Sequence, residues 1–144
     1  MKYYIHCFKN YTNFSDRARR SEFWFFILFN FIFIIAILFL ANLLDLFFIN
    51  ENDFAAQSTL PMVLYLIYIA VTFIPTLAVT ARRLHDIGKS GTWIFIYFVP
   101  LIGGIWLLVL LSTDSQFGRN KWGYNPKEKG RDEIDEIGNY LKVE

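Results

Sequence analysis

The sequence predicts an all-α fold: an integral membrane helical bundle with about three hydrophobic helices, preceded by a short amphipathic helix at the interface. Length, composition and charge placement carry that reading. The chain has 144 residues, 55% of them hydrophobic, with 4 Trp, 8 Tyr and 16 Phe. Its 14 basic and 13 acidic residues nearly cancel, at +1, yet they are unevenly spread. Residues 23 to 81 hold Asp45, Glu51 and Asp53 as their charges, and residues 92 to 111 hold none. One domain of this size has too little interior to hide three long apolar runs from water, so lipid is their expected solvent. High apolar content excludes a disordered chain, and a single cysteine, Cys7, excludes a disulfide scaffold.

Residues 2 to 12 place Tyr3, Tyr4, Cys7, Phe8 and Tyr11 on one face at helical spacing, with Lys2, His6, Lys9 and Asn10 largely on the other. Such a helix suits the plane of the interface, or serves equally as a lead-in packed on the bundle. Cys7 then reads as a small buried apolar residue and not as a nucleophile. Asp16 can cap a helix starting at Arg17 that continues into the first span, Phe23 to Leu44. Those 22 residues make about 33 Å of helix against a hydrocarbon core of about 30 Å. Asn30 and Asn42 are its polar members and candidates for hydrogen bonds between helices. A run this long, with no small-residue cleavage site after it, is expected to be a mature helix and not a signal peptide.

The second span, Leu60 to Ala81, opens with Ser58 and Thr59 as caps and Pro61 near its first turn. Pro75 inside it predicts a kink and one freed carbonyl, which the Thr76 hydroxyl can help satisfy. The third run, Thr92 to Leu111, is interrupted by Pro100 and Gly103-Gly104. Its length favours a complete crossing, which is the path expected here. The alternative is a re-entrant hairpin with arms of about eight residues, turning at Pro100 to Gly104 and buried in protein at membrane depth. Residues 1–127 thus form a single membrane domain, and residues 128–144 a charged C-terminal tail in which residues 131 to 141 can make a short amphipathic helix.

Lys and Arg number five in residues 1 to 22, none in 45 to 59, three in 82 to 91 and six in 112 to 144. The positive-inside rule therefore places the N-terminus and the 82 to 91 loop in the cytoplasm and the 45 to 59 loop outside. A full third crossing would leave six basic residues outside, whereas a hairpin would keep all of them inside. Trp24 and Trp93 fall at the inner ends of their spans as belt residues, and Trp106 is expected to pack within the bundle or against lipid.

The basic residues form two collars on one membrane side. Arg17, Arg19, Arg20 and Glu22 precede the first span; Arg82, Arg83, His85, Asp86 and Lys89 follow the second, with Gly88 as helix terminator. Closely spaced arginines repel unless neutralised, so two arrangements follow. In one, Arg19 or Arg20 pairs with Asp86 and Arg82 or Arg83 pairs with Glu22, stapling the helices. In the other, the collar meets anionic lipid headgroups or an acidic partner, each basic residue contributing on the order of 1 kcal/mol. Local pairing of Asp86 with Arg82 or Arg83 is also within reach.

Catalysis finds little footing. Adjacent residues on a helix point about 100° apart, so His85 and Asp86 do not form a natural dyad, and no Ser or Cys nucleophile motif accompanies them. His6 and His85 lack partners at metal-ligand spacing. The chain is therefore expected not to be an enzyme and to hold no cofactor or metal.

Two segments carry a resemblance. Asn13-Phe14-Ser15-Asp16-Arg17-Ala18-Arg19-Arg20-Ser21-Glu22-Phe23-Trp24 and Arg82-Arg83-Leu84-His85-Asp86-Ile87-Gly88-Lys89-Ser90-Gly91-Thr92-Trp93, with the Pro100-Leu101-Ile102-Gly103 break and Arg119-Asn120-Lys121-Trp122-Gly123, resemble the signatures of the bacterial inner-membrane domain of unknown function 805 family. Asp16 stands where a glycine is common, Thr92 where a tryptophan is and Tyr124 where a proline is. The resemblance implies a small bacterial inner-membrane protein and no particular activity. The functional expectation is a membrane interaction module whose cytoplasmic basic collar contacts anionic lipids or a membrane protein partner, with homo-oligomers allowed. A subunit of an oligomeric channel or transporter is the alternative, and a lipid-headgroup enzyme ranks lower. Nucleic acid is not an expected partner, because topology already accounts for the positive residues.

Overall fold

The structure is a computed structural model that describes residues 2–48 and 59–128. It is helical, with no strand among the described residues. Helix α1 is Lys2–Lys9, α2 is Arg20–Phe48 and α3 is Thr59–Asp86; a 3-10 segment, Gly91–Phe98, then leads to α4, Gly103–Ser112, and a short 3-10 turn, Pro126–Glu128. Helices α2 and α3 are long and apolar enough to cross a membrane by length and composition, whereas α4 is a short apolar helix.

The long helices run antiparallel: Glu22 meets Arg82 near one end, and Asn30 meets Tyr68 further along. Asn30 accepts the Tyr68 hydroxyl at 2.7 Å, and that hydroxyl lies 3.3 Å from the Tyr4 hydroxyl, so one polar chain links α1, α2 and α3 inside an apolar setting. Asn42 instead donates to Leu38 O within its own helix. Helix α1 packs on the bundle through Tyr4, Cys7 and Phe8 of the expected face, with Tyr4 and Phe8 against Phe26 and Cys7 fully buried, whereas Tyr3 and Tyr11 of that face are exposed.

Several elements depart from expectation. Helix α2 begins at Arg20, not Arg17; the chain before it is tied to α3 by the Ala18 N–H, which bonds Arg82 O at 3.0 Å. Asp16 accepts the Asn13 side-chain amide, and no cap by it is observed. Pro75 sits inside an α3 assigned as one helix, and Thr76 donates to Thr72 O at 2.7 Å. The expected Ser58 cap, the 45 to 59 loop beyond Phe48 and the helix proposed for residues 131 to 141 lie outside the described residues.

The largest departure concerns the third run, which folds back on itself. At its start, Gly91 lies against Ala81 and His85; at its end, Leu111 O and Thr113 O accept from Arg83, and Gln116 N donates to Asp86 O. Both ends therefore meet the same end of α3, and the full crossing favoured by length is replaced by the hairpin favoured by charge. The arms reach about 16 Å for eight 3-10 residues and about 15 Å for ten α-helical ones, roughly half a hydrocarbon core. The turn uses Leu101 in the left-handed region, at φ 66°, with 93% of its surface exposed. Close approach of the arms needs Gly103, where a Cβ would fall 1.9 Å from Ile96 O.

The buried core gathers at the end of the molecule where these elements converge: Phe23, Phe26, Val79, Leu84, Leu107 and Leu111 all lie there. Along the rest of α2 and α3, Phe31, Phe39 and Val71 are more than half exposed, as expected of side chains whose solvent is lipid.

The two glycines of α4 provide a test. Gly103→Ala is expected to separate the arms and destabilise the protein by about 2 kcal/mol or more, as overpacking against backbone does, whereas Gly104→Ala, whose Cβ would meet nothing nearer than the Tyr97 ring at 3.9 Å, is expected to be tolerated. Thermal aggregation midpoints in mild detergent distinguish them; equal behaviour of the two variants contradicts the close-packed hairpin.

Candidate functional site

The end of α3 builds the site. Its last turns bury Arg82, Arg83 and Asp86 at 2% exposure or less, which for charged residues requires paired and hydrogen-bonded neighbours. Gly88, at φ 77°, ends the helix as predicted: its N–H bonds His85 O and the Lys89 N–H bonds Leu84 O, the paired pattern that a left-handed glycine permits. The chain then turns away, and Asp86 is left pointing at groups from its own helix and two other segments.

Asp86 is shared by two arginines. Its Oδ1 accepts from Arg17 Nε at 3.1 Å; its Oδ2 accepts from Arg83 Nη1 and, at 2.6 Å, from the Ser115 hydroxyl. Arg17 spends its remaining donors on backbone carbonyls: Nη1 on Gly118 O and Gly123 O, Nη2 on Asp86 O and Gln116 O. All five N–H groups of that guanidinium are thereby used. Arg83 adds bonds from Nε to Leu111 O and from Nη2 to Thr113 O, so its charge sits on the terminal carbonyls of α4, where the helix dipole favours a cation.

Arg82 makes the other cross-helix pair, Nη1 to Glu22 Oε1 at 2.9 Å. This is one of the pairs expected from the sequence. The partners expected for Asp86, Arg19 or Arg20, are not found. Arg17 takes their place, because the chain preceding α2 is bonded to α3 at Ala18, while Arg83 makes the local pair with Asp86 that the sequence puts within reach. The Nε and Nη2 atoms of Arg82 are buried without an acceptor among the described residues, an arrangement that costs about 1–3 kcal/mol per orphaned donor.

The remaining collar residues are divided. Arg20 and Lys89 are exposed, Lys89 lying 5.1 Å over the Trp93 ring, and Arg19 is half-buried. His85 is buried with its ring stacked on Trp122 at 4.3 Å and 11°, so it faces away from the Asp86 carboxylate and does not form a dyad with it. No cluster of His, Cys, Asp and Glu able to hold a metal is found among the described residues.

The segment from Thr113 to Glu128, expected as turns, is part of the site. Besides its carbonyls on Arg17, Asn120 donates to His85 O at 2.9 Å and bridges to Gly123, and Lys127 pairs with Asp114, holding that carboxyl below the usual carboxylate range. The signal that could have revealed it is Gly118 and Gly123, both at positive φ where backbone carbonyls turn toward one cation. Between this segment, α1 and the collar lies a cavity of about 670 Å³ lined by Arg17, Arg19, Arg82, Glu22, Trp122 and Tyr124 among others. At its edge Cys7 Sγ lies 3.6 Å from Glu22 Oε1; burial, reinforced by that carboxylate, pushes the thiol up to about 12.

Two spanning-length apolar helices, a broken apolar hairpin and a buried ion cluster at one end define a helical integral membrane protein. The chain belongs to the family described as "Protein of unknown function (DUF805)", whose profile matches residues 11–124. It is 41% identical over 127 residues to the inner membrane protein YhaI of Escherichia coli (strain K12), covering 88% of this chain and 97% of that one. It is 35% identical over 127 residues to the inner membrane protein YhaH of the same strain, covering 88% and 98%. No solved structure matches. Both relatives are named as inner membrane proteins, and this chain is one by family and by its apolar helices.

Two outcomes test the cluster. Asp86→Asn keeps the shape but leaves Arg17 and Arg83 without their carboxylate, and is expected to cost about 3–5 kcal/mol; Arg17→Lys, which supplies three donors for five, is expected to destabilise nearly as much. Retention of wild-type melting by both in detergent would show the cluster to be dispensable. At pH 8, Cys7 should alkylate at least about a hundredfold more slowly in the folded protein than in denaturant, because the thiolate is the reacting form; matching rates would contradict its burial.

Proposed function

We propose that this protein is a multi-pass module of the bacterial inner membrane whose basic end faces the cytoplasm and rests on anionic headgroups through an outward rim of cations. The observation that carries this is the asymmetry between ends: Arg17, Arg19, Arg20, Arg82, Arg83, Lys89, Arg119, Lys121 and Lys127 gather where α3, the hairpin and the tail segment meet, while residues 45 to 59 contain no Lys or Arg. The return of the third run supports the orientation, since it removes the one conflict with the positive-inside rule. In this reading α2 and α3 span, and the Gly91 to Ser112 hairpin dips into the cytoplasmic leaflet with Phe98, Leu101 and Ile102 at its apolar tip.

Burial divides the collar. Arg17, Arg82 and Arg83 are consumed inside the protein, so headgroup contact falls to the exposed Arg20, Lys89, Arg119 and Lys121. Trp24 and Trp93, each more than a third exposed, suit the same interface. The channel alternative fits less well: Asn30, Tyr68, Thr72 and Thr76 within the helix pair are bonded to one another or to their own backbone.

Two measurements examine the proposal. A phosphatase fused after Val143 is expected to be inactive and one inserted at residues 51 to 53 active; an active fusion after Val143 overturns the orientation. In nanodiscs of mixed phosphatidylcholine and phosphatidylglycerol, the lipid retained on release should be enriched in the anionic species. Arg20→Ala with Lys89→Ala should reduce that enrichment by about tenfold or more, at on the order of 1 kcal/mol per residue; unchanged enrichment removes the rim from the account.

A further inference from the structure

We infer that the cavity between α1, the start of α2 and the tail segment is a binding site for a phosphate-type oxyanion, the phosphate group of a small organic phosphate or of a lipid phosphomonoester. This site is separate from the outward rim and does not depend on it.

Three observations converge on it. The first is charge without a partner. Arg19 lines the cavity half-buried, and no carboxylate among the described residues lies within ion-pair distance of it. The second is donors without acceptors. Arg82 lines the same wall at 2% exposure, and its Nε and Nη2 meet no acceptor among the described residues, while Nη1 holds Glu22. A planar guanidinium with two unpartnered, buried donor nitrogens, on a wall that a second, unpaired guanidinium also lines, is the arrangement that tetrahedral oxyanions satisfy by charge-assisted, forked hydrogen bonds. The third is space and wall chemistry. About 670 Å³ exceeds what a bare phosphate fills and falls in the range of small-molecule sites, and Tyr3, Trp122 and Tyr124 supply aromatic surface for the group that carries the anion.

The acidic residues on the wall do not defeat this. Glu22 is neutralised by Arg82, and Asp16 is exposed, so water and salt screen its charge. Arg17 also reaches the cavity, but its five donors are committed to Asp86 and the backbone, so it contributes field and not hydrogen bonds. Binding would fall to Arg19 and Arg82, with the Trp122 to Pro126 segment closing one side.

The test uses the full chain, purified in neutral detergent, with three probes followed by phosphorus NMR and calorimetry: inorganic phosphate, glycerol 3-phosphate, and nanodiscs containing phosphatidic acid. Saturable binding at one site per chain is expected. Binding of glycerol 3-phosphate or phosphate assigns a soluble ligand, and binding of phosphatidic acid without either assigns a lipid. Arg19→Ala should weaken binding about tenfold, the loss of one charge-assisted contact. Arg82→Lys, which preserves the charge opposite Glu22 and so spares the fold, should weaken it similarly. Arg20→Ala and Lys89→Ala, outside the cavity, should leave it unchanged. Absence of saturable binding with all three probes overturns the proposal, as does wild-type affinity in Arg19→Ala, or equal weakening by Arg20→Ala, which would mark a diffuse surface field. Because the rim is tested by Arg20 and Lys89 and the cavity by Arg19 and Arg82, failure of one leaves the other standing.

Discussion

The Asp86 carboxylate is the constraint on which the basic end of the fold depends. It receives Arg17 from the chain before α2, Arg83 from its own helix and Ser115 from beyond the hairpin, and thereby fixes two other segments to the end of α3. Two guanidiniums against one carboxylate leave an excess positive charge in a buried place, which would be costly in isolation. The excess is met by backbone. Arg83 lies on the terminal carbonyls of α4, and Arg17 on Asp86 O at the end of α3; each helix end carries roughly half a negative charge. The cluster is therefore close to neutral once the helix dipoles are counted, which accounts for how arginines come to be among the largest fully buried side chains of the protein.

That arrangement also explains why the third apolar run turns back. A complete crossing would carry Leu111 and Thr113 to the opposite end of α3, about 40 Å away for a helix of 28 residues, and Arg83 would lose its carbonyl partners. Arms of about 15 Å, about half the thickness of a hydrocarbon core, bring the run home, and the turn is made with a left-handed Leu101 and a Gly103 that lets the arms touch. The polar end and the apolar hairpin are thus one device. The cluster supplies an anchor that hydrophobic burial cannot, since along the exposed lengths of α2 and α3 the surrounding lipid is as apolar as the side chains.

Much of this was legible from residues whose partners are side chains or whose role is local. The two long apolar runs gave the two long helices, Gly88 gave the end of α3, the spacing of Tyr4, Cys7 and Phe8 gave the inward face of α1, and the opposite charges of Arg82 and Glu22 gave a pair across helices. Arg17 was readable as a member of the collar but not as its centre, because four of its five bonds end on backbone carbonyls, which carry no signature of residue type. The stacking of Trp122 on His85 joins positions far apart in a segment that reads as plain turns. The path of the third run was ambiguous because length and charge pointed to different answers, and length prevailed in the expectation. It lost in the structure because Pro100 and the following glycines break the run near its middle, so its 20 residues never act as one helix.

The same cluster separates structural arginines from available ones, and that separation bears on function more than the number of positive charges does. Arg17 has all five donors committed and Arg83 makes a bond from each of its three nitrogens: moving Arg17 would break bonds to α3 and to the segment after α4, and moving Arg83 would break bonds to Asp86, Leu111 and Thr113. Charge that is to act on something else must therefore come from Arg19, from the uncommitted nitrogens of Arg82, or from the exposed Arg20, Lys89, Arg119 and Lys121. These fall into two sets with different geometry. Arg20 and Lys89 face outward beside Trp24 and Trp93, where a planar, extended surface of negative charge suits them. Arg19 and Arg82 share a concave wall with aromatic rings, where a discrete anion suits them better than a surface does. A single basic collar, uniform in the sequence, is thus resolved by burial into a clasp, a rim and a pocket, and curvature and desolvation, not charge, distinguish the last two.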